Sequence, residues 1–140
     1  MAEISANYRR LLNYLKDKDL TKVGAEVNEK HLGRSSATLK RYLNAIEYGT
    51  AIVHRDRSIL YANPPLTKEL GPLEDQKCCS KICDIFHEFD CITQECIEKD
   101  YICIATGLAT DRSEQDTITL IRIPIKNKGI IIIWINEKQN

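Results

Sequence analysis

Apolar residues recur at helical spacing through the first third of the chain, then give way after Thr50 to short continuous runs. Ile4, Tyr8, Leu11, Leu12 and Leu15 share one stripe, with Arg9, Arg10, Asn13 and Lys16 on the other side, which predicts a first helix. Asp17-Lys18-Asp19 breaks the pattern. Asp19 suits the cap of a second helix carrying Leu20, Val23 and Val27 and closing at Gly33. Ser35 or Ser36 caps a third, with Leu39, Leu43 and Ile46 in line and Gly49 as its stop.

The texture then becomes that of strands. Ala51-Ile52-Val53, the charged turn His54-Arg55-Asp56-Arg57-Ser58, and Ile59-Leu60-Tyr61-Ala62 predict a hairpin. Pro64 or Pro65 opens a short helix through Leu70 that ends at Gly71. Cys79, Ile82, Ile85, Phe86 and Phe89 share a helical face, and Ile97, Tyr101, Ile104 and Leu108 mark a later helix. Thr117 to Ile125 and Ile130 to Asn136 are β-branched runs joined by Lys126-Asn127-Lys128-Gly129, whose Asn and Gly suit a tight turn. The unbroken Ile130 to Ile135 run predicts a central strand covered on at least part of both faces, while Pro124 limits pairing near the end of its neighbour.

Length and composition fit one compact domain, or a small domain with a helical segment attached. Met1 to Tyr48 holds nine Lys/Arg against six Asp/Glu. That excess is compatible with nucleic-acid contact and equally with a solvated helix face. The N-terminus has no apolar stretch of signal-peptide length, and no apolar run is long enough to span a bilayer. These features place the chain in the cytoplasm, away from membranes.

All six cysteines fall between Cys78 and Cys103. A reducing cytoplasm disfavours three structural disulfides, leaving metal, cluster or free thiol. Cys79 and Cys83, four apart, would project from one helical face, and Cys91 and Cys96 lie beyond Phe89 across a turn, so two pairs can converge. Four thiolates suit an iron–sulfur cluster or a closed zinc site. Cys79, Cys83, Cys91 and Cys96 are therefore the candidate cofactor and metal ligands, with Cys78 and Cys103 in reserve. Reversible thiol oxidation and plain core cysteines, with no cofactor, are the other readings of the cluster. His87 is a further candidate ligand, to a metal or to haem. There is no phosphate-binding Gly-rich loop, no G-x-S-x-G and no flavin-adduct motif, so an enzyme is not expected.

The segment NAIEYGTAIVHRDRSILYANPPLTKELG resembles the opening of a PAS sensory domain. In that family a helix ends at Gly before the first strand, an Asp opens the turn, and an apolar-Tyr-x-Asn sequence closes the second strand. Gly49, Asp56, Tyr61 and Asn63 occupy those places. The resemblance runs from Leu43 to Glu137, with two departures. Arg57 stands where the family has Gly after the Asp, and the third strand must fit into roughly Ile104 to Asp111. The resemblance implies an α+β fold: a five-stranded antiparallel sheet with helices on one face, preceded by an N-terminal helical segment. The domains would then be residues 1–44 and 45–140, with a cysteine-rich connection, 78–103, over the ligand pocket. Iron–sulfur PAS domains of oxygen-sensing kinases carry four cysteines in this connection as two C-x-x-C pairs, a spacing absent here. Other bacterial PAS domains carry a Cys, a following His and a further cysteine pair, which Cys83, His87, Cys91 and Cys96 resemble. The function so implied is a signal-sensing module that binds a redox- or oxygen-sensitive cofactor. It would act as a homodimer through its N-terminal helices and signal to a partner protein or effector domain.

A rival reading takes Gly33 to Leu43 as a helix-turn-helix recognition segment. Arg34, Ser36, Lys40 and Arg41 would then meet DNA, with Thr50 to Asn63 as the wing of a winged helix. The chain would be a transcriptional regulator with a cysteine-rich, metal-binding sensor part.

Overall fold

The computed structural model describes residues 6–23, 37–73, 77, 92–108 and 117–137. Helix α1 (Ala6–Lys16) is followed by a helical turn at residues 20–23 and by α2 (Ala37–Asn44). The hairpin β1 (Gly49–His54) and β2 (Ile59–Ala62) leads into α3 (Pro64–Leu70). After α4 (Ile92–Lys99) come β3 (Cys103–Leu108), β4 (Thr117–Ile125) and β5 (Gly129–Glu137). The strands form one antiparallel sheet in the order β2-β1-β5-β4-β3. No helix among the described residues is long and apolar enough to cross a membrane.

The isoleucine-rich β5 is the central strand, because every second side chain enters a different core. Ile130, Ile132 and Trp134 join one apolar cluster with Ala51, Val53, Ile118, Leu120 and the helical residues Leu66, Cys96 and Ile97. Ile131 and Ile133 join the other, with Ile52, Ile121, Ile123 and the helical residues Tyr8, Leu11, Leu15, Leu39 and Leu43. Helices therefore cover both faces of the sheet, not one as the resemblance implies. The apolar stripes predicted for the first and third helices are spent on the second face. We call the face under α3 and α4 the inner face and the one under α1 and α2 the outer face.

Two turns solve their geometry differently from expectation. In the β4–β5 turn, Lys126 and Asn127 both have positive φ (38° and 60°) and the Lys128 amide donates to the Ile125 carbonyl at 2.8 Å, the pattern of a type I′ hairpin turn. Gly129 belongs to the strand instead. A Cβ there would stand 2.0 Å from the Val53 carbonyl oxygen, so glycine is required by the close approach of β1. In the β1–β2 turn Arg57 takes the left-handed conformation, φ 74°, that favours glycine. Asp56 supports it by accepting from the Ser58 amide at 2.8 Å.

The expected helix through Ile97, Tyr101, Ile104 and Leu108 ends early. Asp100 turns left-handed, φ 54°, after Lys99, and Ile104 and Leu108 lie in β3, opposite Ile121 and Thr117. A period shared by four residues does not distinguish a helix from a helix end followed by an edge strand. The predicted third strand is present, one residue earlier than expected at its start. β4 pairs with β5 across Pro124 to Ile125, while its ladder with β3 stops at Arg122.

Candidate functional site

Asn63 fixes how the helical connection leaves the hairpin. Buried at the end of β2, its side-chain oxygen accepts from the Thr50 amide at 2.8 Å and the Leu66 amide at 3.3 Å, and its nitrogen donates to the Tyr48 carbonyl at 2.9 Å. One side chain thus caps α3 and ties the entry of β1 to the exit of β2. Gly49 admits α3 against the strand, since a Cβ there would meet Leu66 at 3.3 Å. Glu69 on α3 then accepts from the Trp134 indole and from the Asn136 amide on β5. Arg57 in the β1–β2 turn donates to Gln94 on α4.

On the inner face, α4 and β3 bring two cysteines together. Cys96 sits in the last turn of α4, fully buried. The left-handed Asp100 reverses the chain, and Cys103 opens β3 opposite Arg122. The Cys96 thiol donates to the Tyr101 carbonyl at 3.0 Å and to the Arg122 carbonyl at 3.5 Å. The Cys103 sulfur lies 4.0 Å from the same Tyr101 oxygen, half-buried at the margin of the inner core. Burial, then the neighbouring Cys103, pushes the Cys96 thiol up to about 12. Arg122 is wholly buried and shares this face with Ile118 and Leu120, four and two residues before it on β4. Its charge opposes the upward shift at Cys96.

Tyr101 is exposed, and its hydroxyl donates to Glu95 at 3.0 Å. That bond is the first cause raising the phenol to about 12, and Lys99 also binds Glu95 at 3.0 Å. These contacts hold the α4–β3 corner from outside while the thiols occupy its inside.

Of the candidate ligands, Cys79, Cys83 and Cys91 lie outside the described residues, as do Cys78 and His87. Among the described residues no group of three or more His, Cys, Asp or Glu is placed to hold a metal ion. Of the four first candidates Cys96 alone is among the described residues, with its sulfur beside the Tyr101 and Arg122 carbonyls. Of the DNA-binding candidates, Arg34 and Ser36 lie outside the described residues; Lys40 is in α2, and Arg41 is exposed on it. The β1–β2 hairpin does not project from the sheet, because β1 pairs along its whole length with β5.

Arg122 and Glu69 were not legible as site residues. A lone arginine inside Thr117 to Ile125 reads as a solvent-facing position of an alternating strand, yet it points into the core. The only signal was a charge within a run that is otherwise apolar or hydroxylic. No protein family and no curated protein matches the chain in sequence comparison.

Proposed function

We propose that this chain is a PAS-like sensory module that reads a redox signal through the cysteines of the connection between β2 and β3 and relays it to a partner. One observation carries the reading: Cys96, Cys103 and the buried Arg122 meet on the inner face of a five-stranded antiparallel sheet. Leu66 of α3 and Ile97 of α4, from the helices that flank the other four cysteines in sequence, pack on that face.

The relay follows from the strands themselves. Inner-face and outer-face residues alternate along β4 and β5, so repacking around Cys96 bears on the strands that hold α1 and α2. The exposed residues of those helices, Arg9, Arg10 and Arg41 among them, are the surface offered to a partner protein, an effector domain or a second copy. A cluster or zinc ion would draw its ligands from Cys79, Cys83, Cys91 and Cys96.

The test is amide hydrogen exchange on the full chain, fully reduced and after mild oxidation, with iron, sulfide and zinc measured on protein purified without oxygen. Protection should change over residues 78–108 and in α1 or α2 on the outer face. Identical exchange in both states overturns the sensory reading. Matching iron and sulfide assigns the redox centre to a cluster, and a metal-free protein assigns it to thiols.

A further inference from the structure

We propose that Cys96 and Cys103 form a dithiol–disulfide couple that locks the end of α4 to the start of β3. The inference deepens the sensory reading by naming its redox pair. Both residues are reduced in the structure, and their placement suits exchange. The left-handed turn at Asp100 folds the chain back so that both sulfurs face the Tyr101 carbonyl, at 3.0 Å and 4.0 Å. Both sulfurs lie against that one carbonyl oxygen, which sets the two thiols side by side at the corner.

The two sulfurs differ in access, which orders the steps. Cys103 is half-buried on the edge strand and open to a small oxidant, while Cys96 is fully buried behind it. With a low-molecular-weight disulfide as oxidant, the Cys103 thiolate attacks one sulfur, the oxidant's S–S bond breaks, and one thiolate leaves. Cys96 then gives its proton to a departing thiolate and attacks the Cys103 sulfur, expelling the second. Two protein thiols and one small disulfide become one protein disulfide and two small thiols. The buried guanidinium of Arg122, across the ladder from Cys103, opposes the upward shift at Cys96, the attacking sulfur of the second step. Disulfide formation removes the Cys96 hydrogen bonds to the Tyr101 and Arg122 carbonyls, so the corner held by Glu95, Lys99 and Tyr101 must repack.

The experiment uses the full chain with Cys78→Ser, Cys79→Ser, Cys83→Ser and Cys91→Ser, leaving only the pair, equilibrated in glutathione buffers from reducing to oxidising. The expected result is loss of both free thiols per chain as an intramolecular disulfide, with the mass falling by two hydrogens, reversed by dithiothreitol and abolished by adding Cys103→Ser. Two thiols that persist under oxidising buffer, a stable glutathione adduct on Cys103, or a disulfide-linked dimer overturns the couple. If the fourfold variant does not fold, judged by Trp134 fluorescence, the oxidised wild-type chain is digested and its disulfides mapped by fragmentation. A Cys96–Cys103 link sustains the couple and any other pairing overturns it. Redox-dependent hydrogen exchange with a different pairing sinks this couple while leaving the sensory reading standing.

Discussion

Replacing Asn63 with alanine should be among the most damaging single changes that touch no large apolar side chain. The side chain makes three hydrogen bonds, to the Thr50 amide, the Leu66 amide and the Tyr48 carbonyl, and is 3% exposed. Loss of the helix cap costs about 1 kcal/mol. The Thr50 amide, on a strand residue with no exposed surface, loses its partner inside the protein, which costs roughly 1–3 kcal/mol. The sum is about 3 kcal/mol, a fall in Tm of roughly 10 °C at about 3–4 °C per kcal/mol for a chain of this size. Asn63→Ser separates the parts. A serine oxygen can still cap α3 but is too short to span to both Thr50 and Tyr48, so it should recover only about 1 kcal/mol. Urea unfolding followed by Trp134 fluorescence and by far-ultraviolet circular dichroism measures all three proteins. An Asn63→Ala loss below about 1 kcal/mol, or a serine variant as stable as wild type, would refute the argument that this residue joins strand and helix.

Gly129→Ala should cost at least about 3 kcal/mol, because its Cβ meets the Val53 carbonyl at 2.0 Å; a stable, well-folded variant in thermal melts would contradict the β1–β5 register. At Gly71 a Cβ meets nothing within 4 Å, but φ is 82°, so Gly71→Ala should cost only about 1–3 kcal/mol through backbone strain. Tyr8 donates to or accepts from Thr50 at 2.9 Å, and burial raises its phenol above the ordinary tyrosine value. A raised folded value gives stability that is complete below the unfolded value and is lost as pH rises through the folded one. Unfolding at increasingly alkaline pH should therefore show a steeper loss for wild type than for Tyr8→Phe, and parallel curves would count against burial as the cause. Glu69→Ala removes the acceptor for Trp134 and Asn136 and should cost about 2 kcal/mol, with a shift in Trp134 emission as its spectroscopic mark.

Much of the fold was written in local pattern. The stripes of α1 and α2, the proline start of α3, both hairpins and the centrality of the isoleucine run all depend on neighbours in sequence, and periodicity reports these faithfully. The resemblance at Gly49, Asp56, Tyr61 and Asn63 was visible as residues. Its reasons, the Asn63 hydrogen bonds and the tight contact of Gly49 with Leu66, were not, because they join groups that come together only when hairpin and helix fold. The cysteine cluster was visible too, but its spacing favoured Cys96 beside Cys91 over Cys96 beside Cys103. Seven residues of sequence separate that second pair, and a helix end with a left-handed Asp100 closes the gap.

The sequence by itself determined α1 to α3, both hairpins and the central place of β5, since hydrophobic period and turn chemistry are local properties. Tertiary structure alone decided which face each helix took, that Arg122 points inward beneath the thiols, and that Cys96 is held as a hydrogen-bonded thiol. Those outcomes depend on sheet order and on carbonyl groups distant in the chain, whose positions no local pattern encodes.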